Sequence, residues 1–290
     1  MKSQIKMPAF DENANEIFNS LVLRSKNLFQ TPFNKKIFFL HIPKCGGTSI
    51  NEAIKSCYLT LDFANDRRLA HVRSVPSSIA AKKSVGLDHP SDAAEDYQVL
   101  KFRENLLLYY MCHGNINYIA GHLSFSETAY QYFHDKYAFI TVLRDPVKRW
   151  ISAYFYYRYK NFGLRKIDMD ITACLKSEFG QAQGHQYVKF LGGADEMEDY
   201  TSEQAINRAK QNLHKFSIVG FLEQQGEFVK KFEEQFGRKL NIEFSNQSPR
   251  PQSYQSSIIT EEIKEQIKAV CRPDMEIYQY AMANFLNSKN

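Results

Sequence analysis

No run of about 18 apolar residues occurs in the sequence, so no segment has the length and character of a membrane-spanning helix. The first residues contain no apolar stretch of the secretory kind and bring Asp11, Glu12 and Glu16 early, which argues against a signal peptide. Cysteines are few: Cys45, Cys57, Cys112, Cys174 and Cys271, odd in number and without a CxxC pair. That pattern speaks against a disulfide framework and a cysteine-rich zinc site, and it suits a reducing, cytoplasmic setting. The two signs of charge nearly balance, with 37 Lys and Arg against 32 Asp and Glu. A net charge of +5, spread along the chain, fits an anionic ligand or acceptor but lacks the concentrated basic patch that nucleic acid requires. Internal repeats are absent, and no linker divides the chain.

What remains is the composition of a soluble globular protein, with 43% hydrophobic and 24% charged residues. The 22 Phe and 17 Tyr need a core or a pocket to cover them, which excludes wholesale disorder. A length of 290 residues accommodates one large α/β domain. The expected organisation is a partly helical N-terminal extension over 1–34, with a helix across 15–29, followed by a single domain over 35–290.

Within that domain, Lys35–Ile42 (KKIFFLHI), Tyr118–Phe125, Tyr137–Arg144 (YAFITVLR) and Phe216–Glu223 read as strands: short, apolar and bounded by turn residues. Helices are expected over Ser49–Tyr58, Ala93–His113, from Pro146, over Ser202–His214, on to about Phe236, and over Thr260–Leu286 with a break at Pro273. In the helix from Pro146, Val147, Trp150, Ile151, Tyr154 and Phe155 fall at i, i+3, i+4, i+7 and i+8, one face of a helix. Asp145 is a good N-cap and Pro146 a good first residue. Residues 60–92 and 245–257 read as polar loops. The alternation of strand and helix defines an α/β class with a mostly parallel sheet flanked by helices.

Two segments carry chemistry. In Phe38–Ile50 (FFLHIPKCGGTSI) a buried strand runs into a turn with Gly46 and Gly47, and a helix starts near Thr48. Glycines let the main chain approach an anion, and open N–H groups at a helix start point at it. The N–H groups of residues 45–49, Cys45 and Ser49 among them, line that turn. The hydroxyls of Thr48 and Ser49 add donors, and Lys44 adds charge. The nucleoside-triphosphatase pattern GxxxxGK[ST] is missing, because Lys44 precedes the glycines. In Ile140–Tyr154 (ITVLRDPVKRWISAY), Arg144 ends a strand, where ligands bind in open α/β sheets. Ser152 lies two turns into the next helix, off its apolar face. A guanidinium fork and a serine hydroxyl suit phosphate oxygens.

PKxGGTS after an apolar strand resembles the 5′-phosphosulfate loop of sulfotransferases that use 3′-phosphoadenylyl sulfate (PAPS). It is especially similar to the broad family that includes the heparan sulfate 2-O- and 6-O-sulfotransferases and bacterial relatives. RDPxxRxxSxY resembles that family's 3′-phosphate motif, an Arg and a Ser eight residues later. The resemblance covers about residues 36–286. It implies a P-loop-like fold, PAPS as donor, and Lys44 together with the loop on the 5′-phosphosulfate. It further implies Arg144 and Ser152 on the 3′-phosphate, and Arg250, in the loop NQSPR, near the phosphates. A glycine–histidine pair at Gly121–His122 resembles the family's catalytic histidine region and implies His122 as general base, with His113 as the rival and Glu127 as a carboxylate substitute. His185–Leu191 matches a family segment only in degraded form, so Lys189 is expected on the surface.

The expected activity is sulfuryl transfer to a hydroxyl of a carbohydrate or small-molecule acceptor, without a metal. Two other classes are weighed: an ATP-using kinase or nucleoside triphosphatase with Asp145 on magnesium, and a non-catalytic anion-binding module that would not need His122. Nothing in the residues names the acceptor or an oligomeric state.

Overall fold

The computed structural model describes residues 33–59, 67–86, 94–160, 166–194, 199–242 and 252–286. The expected N-terminal helix over 15–29 lies outside the described residues, as does Arg250.

The elements run β1 (Ile37–Leu40), α1 (Gly47–Ser56), β2 (Leu69–Val72), α2 (Ser74–Ser84), α3 (Ala94–Cys112), β3 (Tyr118–Gly121), α4 (Glu127–Phe133), β4 (Ala138–Leu143) and α5 (Pro146–Tyr159). The short helices α6 (Ile171–Lys176), α7 (Glu178–Ala182) and α8 (Gln186–Gly192) follow, then α9 (Glu203–Leu213), β5 (Ile218–Phe221), α10 (Gln225–Phe236), α11 (Gln252–Ile258), α12 (Glu261–Val270) and α13 (Arg272–Phe285). No helix among the described residues is long and apolar enough to cross a membrane.

The strands form one sheet in the order β2-β3-β1-β4-β5, with every pairing parallel. All four residues of β1 are buried, as a central parallel strand with both faces covered requires. Phe38 and Leu40 face a core built with Phe139 and Leu143 of β4 and with α3, α8, α9 and α13. Ile37 and Phe39 face the other core, closed by Ile50 and Ile54 of α1 and by Phe228, Phe232 and Phe236 of α10. The expected apolar face of α5 gathers a third cluster around Trp150, Tyr154 and Phe155. Asp145 caps that helix by accepting the Lys148 N–H at 2.9 Å, and Pro146 opens it.

The chain leaves β1 for β2 on one side and leaves β4 for β5 on the other. The reversal puts a crevice at the carboxyl ends of β1 and β4, where open α/β sheets bind ligands.

Two expected loops are structured. Residues 69–84 form β2 and α2 rather than an excursion. No apolar stripe marks α2, whose Val75 and Ile79 stay exposed while Ser77 and Ala81 turn inward. What fastens it is Arg103 of α3, which donates to Ser77 Oγ (2.9 Å), the Ser74 carbonyl (3.0 Å) and Ser78 Oγ (3.1 Å). Likewise 252–258 is helical, held where Tyr254 meets Tyr159 hydroxyl to hydroxyl at 2.8 Å and packs edge-on to Phe155.

Candidate active site

Beyond β1 the chain turns through two left-handed residues, Lys44 at φ 68° and Gly46 at φ 72°. For a lysine this conformation costs on the order of 1 kcal/mol or more. Gly46 and Gly47 are also tightly packed. A Cβ on Gly46 would sit 2.5 Å from Leu222 Cδ1, and one on Gly47 only 1.9 Å from His41 Cδ2. Gly46 is the N-cap of α1, with no side-chain cap and no acidic residue in the first turn. The N–H groups of Gly47 and Thr48 therefore open outward at the positive end of the helix. Thr48 is exposed, Ser49 half-buried and Cys45 buried. Burial pushes the Cys45 thiol up to about 11, which makes it a poor nucleophile, and its N–H donates within the turn to the Ile42 carbonyl at 3.4 Å.

Arg144 follows β4 and reaches back across the crevice. Its Nη1 donates to the Lys44 carbonyl at 3.1 Å, and its Nε is buried without a hydrogen-bond partner among the described residues. Such an orphaned donor beside an uncapped helix start is the electrostatics of an anion site. Lys44 points toward α5, with its ammonium 3.8 Å from the centroid of the Tyr156 ring. Tyr156 lies one helical turn beyond Ser152, so the two share a face. Ser152 is half-buried. The two phosphate-type segments, 100 residues apart, thus meet as one site. Burial and then the Arg144 charge lower the Lys44 pKa to about 8. Asp145, the residue a kinase reading puts on magnesium, spends a carboxylate oxygen on its own helix N-terminus, and its N–H donates to Glu223 at 3.1 Å.

On the opposite flank of the loop, His122 follows β3. Its Nδ1 lies 2.8 Å from the His41 carbonyl. A carbonyl only accepts, so Nδ1 carries the proton and Nε2 keeps its lone pair. The His41 ring lies 4.4 Å from that of His122 and packs against Gly47, so it touches both the base candidate and the loop. Burial pushes His122 down to about 4; the His41 carbonyl opposes the shift, and Arg103 and Lys44 add to it. Arg103 Nη1 donates to the His122 carbonyl at 3.0 Å and steadies that turn.

His113 lies elsewhere. It precedes the amino end of β3, and the neighbouring Gly114 carbonyl accepts from Lys36 at the start of β1, so it belongs to the far edge of the sheet. Glu127 is exposed and paired with Lys215, ahead of the amino end of β5. Lys189 is half-buried on α8, not a free surface lysine.

Three contributors had no signal of their own in the sequence. Tyr156 was discoverable at i+4 from Ser152. His41, the last residue of the KKIFFLHI run but one, and Tyr187, in the middle of α8, depend on tertiary approach. The Tyr187 hydroxyl accepts the Arg144 N–H at 2.8 Å, donates to the Arg144 carbonyl, and stands 3.6 Å from Cys45 Sγ.

An all-parallel sheet whose central strand feeds an uncapped glycine loop, with an arginine from beyond the neighbouring strand folded over it, defines a P-loop-like α/β fold. The chain belongs to the sulfotransferase family: the sequence model of that family matches residues 26–281, from ahead of β1 well into α13. The match is to the family as a whole, and its activity is transfer of a sulfuryl group. No curated protein matches the chain.

Proposed function

We propose that this protein transfers a sulfuryl group from PAPS to a hydroxyl of a carbohydrate or small-molecule acceptor. The observation that carries the reading is the contact of Arg144 with the Lys44 carbonyl, which joins the glycine loop to a second cationic group with an unspent N–H. A donor with phosphates at both the 5′ and 3′ positions needs two such grips at one crevice. A nucleoside triphosphate needs only the first.

In this reading the N–H groups of residues 46–49, with the hydroxyls of Thr48 and Ser49, hold the 5′-phosphosulfate, while the Cys45 N–H stays in the turn on the Ile42 carbonyl. Arg144 and Ser152 hold the 3′-phosphate, and Arg250 joins the phosphates on the resemblance alone. Lys44 neutralises the bridging phosphate oxygen as the sulfur–oxygen bond to it breaks, where charge develops most. His122 Nε2 takes the acceptor proton as the new oxygen–sulfur bond forms. The products are the sulfated acceptor and 3′-phosphoadenosine 5′-phosphate. Base and 3′-phosphate grip lie on opposite flanks of the loop, so an acceptor can approach from the β3 side while the donor lies toward β4. The charge is carried by protein cations rather than by a metal ion. We assign the activity to one domain over 35–290, with 1–34 as an extension. A cytoplasmic setting is supported by five free thiols.

The test is nucleotide selectivity followed by transfer. The bisphosphate product should raise the melting temperature far more than ADP or ATP at equal concentration, about 2.7 kcal/mol of stabilisation at a hundredfold excess over Kd. Labelled sulfate should then move from PAPS to one of a panel of glycan, phenol and alcohol acceptors without added Mg²⁺. Equal shifts with ATP would overturn the donor assignment.

A further inference from the structure

We propose that Tyr187 is a positioning residue: its hydroxyl sets Arg144 against the donor loop and thereby gives the site its preference for a 3′-phosphate. The inference rests on the donor reading above and concerns a side chain that itself touches no donor.

The argument begins where the sheet stops. The pairing of β4 with β1 ends at Thr141 and its pairing with β5 at Leu143, so the N–H and carbonyl of Arg144 have left the sheet. Both would be stranded in a partly buried crevice, where an unsatisfied main-chain group is costly. One side chain serves both: the Tyr187 oxygen accepts the Arg144 N–H at 2.8 Å and its proton goes to the Arg144 carbonyl. The same hydroxyl stands 3.6 Å from Cys45 Sγ, whose thiol also reaches the Pro43 carbonyl. A single hydroxyl thus ties Arg144, the first residue past β4, to Cys45 of the PKCGGTS turn. The Tyr187 ring is fully buried, which leaves the hydroxyl no rotamer that keeps it near solvent.

Tyr187 is fixed in turn. Asp274 of α13 accepts the N–H groups of Gln186 (2.9 Å), Tyr187 (2.8 Å) and Val188 (3.3 Å), the open first-turn donors of α8. Arg149 of α5 lies 4.0 Å from that carboxylate and also donates to Gln183, just ahead of α8. Arg149, Asp274 and Tyr187 are all fully buried. The ring closes on α5, the helix that carries Ser152. Both groups assigned to the 3′-phosphate therefore hang on one buried network: Arg144 through the Tyr187 hydroxyl, Ser152 through Arg149 and its helix. A loosened Arg144 would swing from the Lys44 carbonyl, and the 3′ grip would lose its fixed distance from the 5′ loop.

The experiment titrates wild type, Tyr187→Phe, Arg144→Ala and the double variant with 3′-phosphoadenosine 5′-phosphate and with adenosine 5′-phosphate. Phe keeps the ring and its packing. Tyr187→Phe should weaken the bisphosphate about tenfold (about 1.4 kcal/mol) and the monophosphate little. Arg144→Ala should remove most of the preference, and Tyr187→Phe should add nothing in that background. The ratio of the two affinities is taken on one sample, so it holds even if part of a variant is unfolded. A wild type with no preference for the bisphosphate sinks the donor reading itself. A wild type with the preference and a Tyr187→Phe variant that keeps it, or that loses both nucleotides equally, overturns the positioning role.

Discussion

Raising the pH should switch the free enzyme off more than two units earlier than an ordinary lysine would allow. In the unliganded site, burial and the neighbouring Arg144 charge lower Lys44 to about 8. A group with that pKa is charged below pH 8 and about one-tenth charged at pH 9, whereas at the usual pKa of about 10.4 more than nine-tenths would still be charged there. If Lys44 must be protonated to bind and neutralise the donor, kcat/KM for the donor falls about tenfold per unit above pH 8. On the acid side His122, pushed down to about 4, stays neutral and able to accept a proton. The profile is then flat from about pH 5 to 7, where a histidine near pKa 6.5 would already have cost about tenfold at pH 5.5.

The assay is kcat/KM for the donor at saturating acceptor, from pH 5 to 10 at constant ionic strength. The kcat profile reports the bound complex, where donor anions stabilise the charged ammonium, so its alkaline limb should lie at higher pH than that of kcat/KM. Lys44→Arg, which stays charged throughout, should remove the limb near 8 whatever its absolute rate. The thiol beside Lys44 does not imitate it, since burial holds Cys45 near 11. Stability should move the opposite way. Unfolded Lys44 holds its proton more tightly than folded Lys44, so this group's contribution to the stability of the unliganded fold rises between pH 8 and about 10.4. A kcat/KM profile flat to pH 9.5, or a limb at 8 that survives in Lys44→Arg, would refute the argument.

Two further outcomes follow from the same geometry. His122→Ala should keep bisphosphate affinity near wild type and lose about 10²–10⁴ in turnover, while His113→Ala, at the far edge of the sheet, should keep both; paired calorimetric titration and sulfate-transfer rates distinguish them. Gly47→Ala should destabilise the fold by about 1–3 kcal/mol in urea unfolding, because its Cβ would enter the His41 ring, and adding His41→Ala should recover part of that loss; a Gly47→Ala protein of unchanged stability would show that His41 yields freely.

The sequence made the centre of the sheet readable and its periphery not, for physical reasons. A strand buried on both faces must be almost wholly apolar, as in IFFL and in AFITVL, where Thr141 spends its hydroxyl on the Leu40 carbonyl, and a helix that starts at Asp145–Pro146 declares itself by its cap. Helix α2 declares nothing, because Arg103 rather than an apolar stripe fastens it. The short α11 depends on Tyr254 meeting a tyrosine 95 residues earlier. The site divides the same way. Lys44, Gly46, Gly47 and Arg144 stand at strand ends and turns, where local sequence dictates both position and exposure. Tyr187 reaches Arg144 across 43 residues and His41 gains its importance only when Gly47 and His122 close on it, so no window of sequence contains their roles.

The partner of Lys44 brings these threads together. A lysine in a donor loop has to stay charged while empty and let go when an anion arrives. A carboxylate partner would hold the charge but repel the donor, and breaking such a charge-assisted bond costs about 1.5–3 kcal/mol. An aromatic face attracts the ammonium by about 0.5–1 kcal/mol at an exposed site and presents no negative charge to the incoming phosphates. Tyr156, partly exposed at 39%, is such a face, one turn past Ser152. The left-handed backbone at Lys44 aims the side chain at α5 rather than along α1, and the resulting desolvation is what lowers its pKa. On the proposed reading, the strain of the turn, the ring in place of a carboxylate and the expected early alkaline limb are one design, in which the loop's charge would be held weakly until a donor supplied the missing anion.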